Sequence, residues 1–168
     1  MSTATIEPKV VDGFSPSSQS WLEASDAKHR KNFGQYMTPR QVREKLLDLI
    51  ELEPGMRVLD PGVGTGEFLA SALARVSDLI TEGWDVDPAV LGSARKLLPG
   101  SSLIERSALD PYFGDGFDVV IGNPPYFQFK AAPEVKSQFA RVISGRPNIF
   151  ALFFQAGLEA LKPGGTLA

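Results

Sequence analysis

The tetrapeptide Asn123-Pro124-Pro125-Tyr126 directly follows the apolar run at 117–122, Phe-Asp-Val-Val-Ile-Gly. An amide, two prolines that stiffen the backbone and an aromatic ring, set where a buried strand ends, make a rigid cup for a planar amine. The chemistry that suits such a cup is alkylation of an amino group conjugated to a ring or carbonyl, whose lone pair is delocalised and poorly nucleophilic. The Asn123 side-chain oxygen and the Pro124 carbonyl can each accept one N–H, drawing the nitrogen toward tetrahedral geometry and freeing its lone pair. The Tyr126 ring can stack on the base carrying the amine. Stacking of that kind is worth roughly 1–3 kcal/mol, comparable to the few kcal/mol needed to extrude a base from a duplex. The competing reading is an ordinary strand-to-loop turn, where Asn and Pro are common. Four specified residues behind an apolar strand favour the chemical one.

A second constellation lies upstream at 58–66, Val-Leu-Asp-Pro-Gly-Val-Gly-Thr-Gly, followed by Glu67-Phe68-Leu69-Ala70. A short apolar strand runs into three glycines at alternate positions and then into a helix with Phe68, Leu69, Ala72, Leu73 and Val76 on its inner face. Such a unit lets a ligand approach backbone N–H groups closely. Its GxGxG spacing differs from the GxGxxG of dinucleotide binders and lacks the Gly-Lys-Ser/Thr of a phosphate loop, which disfavours NAD and ATP. The next strand closes on Asp85, about twenty residues further on, the offset at which a carboxylate can accept from a ribose diol. Asp87 has a plainer role as the N-cap of a helix at 89–98, with Pro88 in its first position.

Together these residues resemble the class I S-adenosylmethionine-dependent methyltransferases and, among them, the adenine-specific DNA methyltransferases whose cofactor motif precedes the catalytic one. Asn32-Phe33-Gly34-Gln35-Tyr36-Met37-Thr38-Pro39 is similar to that family's N-terminal Gly-Gln-Tyr/Phe-x-Thr-Pro motif. DPGVGTGEFL from Asp60 is similar to its glycine loop, GWDVDP from Gly83 to its acidic strand end, and NPPY from Asn123 to its catalytic tetrapeptide. The resemblance covers residues 32–168, with four motifs in the right order. It implies that Tyr36, Thr38 and Pro39 line the methionine end of S-adenosylmethionine, and that Asp60 and the turn of Gly62, Gly64 and Gly66 line its centre. It further implies that Asp85 holds the ribose, that Ser107 and Ala108 border the cofactor's adenine, and that Asn123, Pro124, Pro125 and Tyr126 hold the target adenine. At Ser107 the family often has an acid; serine accepts a hydrogen bond without charge, and Asp110 is nearby.

The reaction so implied is methyl transfer from S-adenosylmethionine to the exocyclic amine of an extruded DNA adenine, in a restriction-modification or related system. It proceeds by in-line attack with no covalent enzyme intermediate, consistent with a chain that lacks the cysteine nucleophile of ring-carbon cytosine methylation. RNA-adenine and protein-glutamine methyltransferases carry a similar tetrapeptide, and the GQYMTP segment favours DNA. A catalytically silent cofactor- or DNA-binding subunit is the reading from a different class.

The elements that must position these motifs alternate. Apolar runs at 57–60, 79–84, 103–105 and 117–121 are separated by helical patterns, the signature of an α/β, Rossmann-like, doubly wound and mostly parallel sheet with ligands at strand C-terminal ends. Thr38-Pro39-Arg40-Gln41 reads as an N-cap with a capping box, opening a helix with Val42, Leu46, Leu49 and Ile50 inward. Asn148 opens an apolar helix through Phe150, Leu152, Phe153, Leu158 and Leu161, which Lys162-Pro163-Gly164-Gly165 terminates before a fifth strand begins at Thr166. Members of the resembled family continue with further strands and a target-recognition region, so the expectation is a core truncated in its fifth strand, or one piece of a split enzyme, with a specificity subunit as a possible partner.

With 168 residues and 43% hydrophobic content the chain can bury one core. The expected organisation is a mobile arm at 1–20, rich in Ser, Thr, Pro and Gln, and a catalytic domain at 21–168. The absence of cysteine excludes disulfides and thiolate metal sites, no metal is expected, and a reducing cytoplasm fits. His29, in Lys28-His29-Arg30-Lys31, is expected to be solvated. No apolar run is long enough to span a membrane, and the N-terminus lacks a signal-peptide core. A net charge of −3 argues against a surface that is basic throughout. The segment 126–147 is locally basic, with Lys130, Lys136, Arg141 and Arg146 against Glu134, and is the expected DNA contact. Its Phe127, Phe129 and Phe139 either contact bases or pack under the loop.

Overall fold

The apolar runs form strands within one or two residues of their expected places: β1 (Arg57–Asp60), β2 (Ile80–Asp85), β3 (Ser102–Glu105) and β4 (Phe117–Val120), joined by β5 (Leu161–Leu167). The computed structural model describes residues 13–128, 131–143 and 148–168; residues 1–12 of the expected arm, and Phe129, Lys130 and Arg146, lie outside them. The strands pair in the order β3-β2-β1-β4-β5, and each of these pairings is parallel. Helices α1 (Pro16–Ala24), α2 (Ala27–Phe33), α3 (Arg40–Leu47), α4 (Glu67–Arg75), α5 (Pro88–Leu97), α6 (Pro133–Gln138) and α7 (Ile149–Ala160) complete the α/β fold.

Both sheet faces are covered, as the unbroken apolar character of β1 requires. Val58 points into one cluster with Leu47, Phe68, Leu69, Ala72 and Leu91. Its neighbour Leu59 points the other way, among Trp84, Phe117, Val120 and Ala160. Both are fully buried, and each such side chain contributes about 1.5–3 kcal/mol. In α4, Phe68, Leu69 and Ala72 are buried as expected, with Leu73 and Val76 partly buried against them.

Several expectations are corrected. Residue 20 is not the end of a mobile arm, because it lies inside α1; Ser15 caps that helix, Ser18 is fully buried, and Ser93 Oγ on α5 donates to Ser17 O at 2.9 Å. Thr38 does not cap α3. The N-cap is Pro39, with no side-chain cap bond, and the Thr38 carbonyl instead accepts from Arg43 Nη1 at 2.6 Å. Because α3 ends at Leu47, only Leu46 and Ile50 of its expected inner face reach the core; Leu47 takes the fully buried place, while Val42 and Leu49 are exposed. The Lys162–Gly165 stretch does not precede the fifth strand but bulges within it, between the pairings Phe117↔Leu161 and Val119↔Thr166. There Lys162 Nζ reaches Asp118 Oδ1 at 2.8 Å.

The excursion after the tetrapeptide is closed at its base. Gln128 bridges Asn148 antiparallel, and Ile149 N donates to Phe127 O at 3.0 Å. Phe139 is fully buried with Leu152 and Ala156, so the packing reading holds for that ring.

Arg43 is buried on α3 and ties three segments together. Its Nη2 pairs with Glu67 Oε2 at 2.9 Å, its Nε donates to Ser71 Oγ at 3.1 Å, and its Nη1 holds Thr38. Glu67 in turn accepts from Ser15 N at 2.8 Å. Removing one partner of a buried pair leaves the other charge uncompensated. Arg43→Met is therefore expected to cost about 3–5 kcal/mol of unfolding free energy, read by denaturant titration.

Candidate active site

The C-terminal ends of β1, β2 and β4 converge, and two cavities open there. The first, about 340 Å³, is lined by residues of the N-terminal segment, the glycine turn, the end of β2 and the loop after β3. The second, about 200 Å³, lies beside it between α3 and α7. Pro61, Gly62, Asn123 and Phe153 border both and form the partition between them.

The sequence-selected residues divide between these spaces. Tyr36, Gly62, Gly64, Asp85, Ser107, Ala108, Asn123 and Pro125 line the first cavity. Asp60, Pro124 and Tyr126 line the second, together with Gly62 and Asn123. Thr38, Pro39 and Gly66 line neither. Gly66 starts α4 and packs so closely on Leu98 that a Cβ would sit 2.6 Å from its Cδ1. Thr38 and Pro39 shape the wall from behind through Arg43. Asp60 thus belongs to the catalytic side of the partition rather than to the centre of the first cavity.

The carboxylates at the strand ends hold the turns. Asp85 Oδ2 accepts from Gly64 N at 3.0 Å and Oδ1 from Asp87 N at 2.9 Å, leaving a lone pair on each oxygen. Burial raises its carboxyl above the usual range, against those backbone N–H groups. Asp60 Oδ1 accepts from Gly62 N at 3.0 Å. Burial pushes the Asp60 carboxyl up to about 7, with the Asp85 charge adding to the rise and the Gly62 N–H opposing it. Asp60 also abuts the catalytic loop: a Cβ at Gly122 would come within 2.6 Å of Oδ1, so only glycine fits before Asn123.

The Asn123 amide has one recorded partner. Its Nδ2 donates to the Tyr36 carbonyl at 3.4 Å, which leaves Oδ1 as an acceptor. Tyr126 is half exposed, its ring 6.1 Å from that of Phe150. Ser107 Oγ accepts from Leu109 N at 3.1 Å, and Asp110 Oδ2 accepts from Ser107 N at 3.2 Å.

Sequence reasoning missed the apolar walls. Trp21, Phe33, Val86 and Val90 flank the first cavity, Leu46 and Phe154 the second, and Phe153 stands in the partition, where a Cβ on Gly62 would lie 3.3 Å from its ring. A phenylalanine within an apolar helix carries no signal that separates wall from core. Val86, directly after Asp85, could have been found from its position at a strand end. His29 is also corrected: it is not simply solvated, because its Nε2 lies 2.8 Å from Asp87 Oδ2. Among the described residues no group of three or more His, Cys, Asp and Glu could hold a metal ion, and no helix is long and apolar enough to cross a membrane.

Comparison with known proteins adds sequence relationships to this geometry. The family model for the Eco57I restriction-modification methylase matches residues 78–168, and that for N-6 DNA methylase matches residues 19–87. Modification methylase CviBIII of Paramecium bursaria Chlorella virus NC1A is 30% identical over 141 residues, spanning 80% of this chain and 36% of that protein. A release factor glutamine methyltransferase of Caulobacter vibrioides is 32% identical over 150 residues, spanning 79% of this chain and 52% of that protein. A crystal structure from Listeria monocytogenes, described as a class I S-adenosylmethionine-dependent methyltransferase, superposes with a TM-score of 0.71 at 23% identity, over 89% of this chain and 50% of that one. It bears out the fold. The chain spans a third to a half of the length of the curated relatives it matches.

A proton bound at Asp60 in the folded chain is released in the unfolded chain once the pH exceeds 3.8. Folding is therefore favoured at the acid end, and the Asp60 contribution is lost as pH rises through its folded value of about 7. Asp60→Asn, which keeps an acceptor for Gly62 N–H, is expected to flatten the fall in melting temperature across this interval, measured by calorimetry from pH 4 to pH 8 at constant ionic strength.

Proposed function

The chain belongs to the Eco57I restriction-modification methylase family, and from that premise we propose that it binds S-adenosylmethionine in the first cavity and methylates the exocyclic amine of a DNA adenine extruded into the second. The observation that carries this reading is the shared partition. Asn123 borders both spaces, so one side chain faces methyl donor and acceptor amine together.

The chemistry of the first cavity suits the cofactor. Asp85 offers its remaining lone pairs to a ribose diol, Val86, Val90 and Trp21 supply apolar faces, and Ser107 and Ala108 edge the purine position. Tyr36 and Met37 line the methionine end, with Thr38 and Pro39 supporting them. Gly62 presents backbone where a side chain would crowd Phe153. The cofactor, when bound, supplies a methyl group activated on a sulfonium. The Asn123 Oδ1 and the Pro124 carbonyl accept the two amine N–H groups and raise the nitrogen's nucleophilicity, while Pro125 fixes the loop and Tyr126 stacks on the base. No side chain becomes covalently attached, consistent with direct transfer.

DNA is the partner in this reading, approached in the cytoplasm through the segment 126–147, where Lys136 and Arg141 supply positive charge. Choice of sequence rests with a recognition region or specificity subunit. The similarity to a release factor glutamine methyltransferase makes a protein glutamine amide the rival acceptor, since an amide nitrogen is also planar and conjugated.

The test is mass spectrometry of unmethylated genomic DNA, and separately of a glutamine-bearing release-factor peptide, incubated with the chain and S-adenosylmethionine. N6-methyladenine is expected from the parent chain and none from Asn123→Ala, with cofactor affinity within about twofold in that variant because a transition-state contact alone is removed. Asp85→Ala is expected to weaken cofactor binding by tenfold or more, about 1.4 kcal/mol or above. Methylated glutamine without methyladenine would overturn the substrate. Unchanged cofactor affinity in Asp85→Ala would overturn the assigned site.

A further inference from the structure

The strap at 33–37 roofs the first cavity, yet the bonds that fix it come from outside the cavity. Asp87 is the N-cap of α5, its Oδ1 accepting from Ala89 N at 2.9 Å. The cap leaves Oδ2 free for other donors, and two reach it: Gln35 Nε2 at 2.8 Å and His29 Nε2 at 2.8 Å. The Asp87 side chain is only 3% exposed. A buried carboxylate with three donors is a firm anchor. Burial alone would raise its carboxyl, but the donors from His29, Gln35 and Ala89 outweigh burial and hold it below the usual range.

Gln35 shows which bond sets its position. Its Oε1 is sealed from solvent and has no hydrogen-bond partner among the described residues. Leaving such an acceptor unmet is unfavourable, so the side chain is held there by its Nε2 contact with a charged group. His29 adds a second tether, its ring also 4.7 Å from that of Phe33 on the cavity wall. Between them the chain turns at Gly34, with φ +64°, where a Cβ would lie 2.7 Å from Pro125 Cβ of the tetrapeptide. The next residue, Tyr36, is a cavity wall, and its carbonyl accepts from Asn123 Nδ2.

We propose that Asp87 is a positioning residue for this site: through Gln35 and His29 it clamps the strap over the first cavity and, through the Tyr36 carbonyl, turns the Asn123 amide so that Oδ1 faces the acceptor amine. The proposal rests on the reading of the first cavity as the cofactor site. Asp85 and Asp87 then divide the work of a single turn, one facing into the cavity and the other holding its roof.

The experiment uses the full chain with Gln35→Met, which keeps length and removes the donor, and His29→Phe, which keeps a ring beside Phe33. Three quantities are read: calorimetric affinity for S-adenosylhomocysteine, hydrogen exchange at residues 33–37, and thermal melting. Gln35→Met is expected to lose about tenfold in affinity, the scale of one hydrogen bond to a charged group. Exchange at 33–37 rises in both variants while melting moves little, because the α5 cap is untouched. His29→Gln, which restores an N–H donor, recovers affinity lost in His29→Phe. The Asn123 side-chain NH2 resonances shift in Gln35→Met, as a merely structural role would not require. Unchanged exchange at 33–37 in both variants overturns the clamp, as does affinity loss that only tracks melting. If the parent chain binds no S-adenosylhomocysteine while exchange still rises in the variants, the clamp stands and the cofactor reading fails.

Discussion

Strands β1 and β4 lie side by side, but the chain leaves one toward β2 and the other toward β5. No crossover can cover the gap between their C-terminal ends, and the site depends on that gap. Into it project the turn after Asp60 and the loop after Ile121, so the residues that line the two cavities meet without belonging to neighbouring sequence. The arrangement also explains the buried carboxylates. Asp60 and Asp85 sit where strands end and backbone N–H groups of the next turn are unpaired, and each accepts such a group. Desolvating them opposes folding, and the price is accepted at the one place where a partly unsatisfied oxygen is useful.

Much of this was legible because it is spelled contiguously. The glycine turn, the acidic end of β2 and the tetrapeptide each lie within ten residues, and each follows an apolar run whose length marks a strand. Asp87 and Asn148 were readable as helix caps for the same reason, and both cap as expected. The parallel order followed from alternation of strands and helices.

What was not legible depends on contacts between distant segments. Val42 and Leu49 fit a helical period with Leu46, but periodicity does not reveal that α3 ends at Leu47 or which of its faces meets α4. Thr38 had the composition of a cap, and a buried guanidinium took its carbonyl instead. His29 lies in a run of cations that reads as solvated, and only the fold brings it to a carboxylate 58 residues away. Phe153 has no local mark at all, since its role follows from facing a glycine in another turn. The Lys162–Gly165 stretch carried the composition of a helix stop and strand delay, yet the sheet absorbs it as a bulge anchored by Asp118.

The closed base of the excursion after Phe127 concerns how this chain can vary. Gln128 and Asn148 meet across it, so the catalytic tetrapeptide and α7 are joined independently of what lies between. Closing a flexible loop costs little more when it lengthens, about 0.6 kcal/mol for each doubling. Residues 129–147 therefore form a cassette. Insertions, deletions or a grafted recognition element can be carried there with the reacting groups left in register, so contacts to a bound partner can diverge faster than the chemistry.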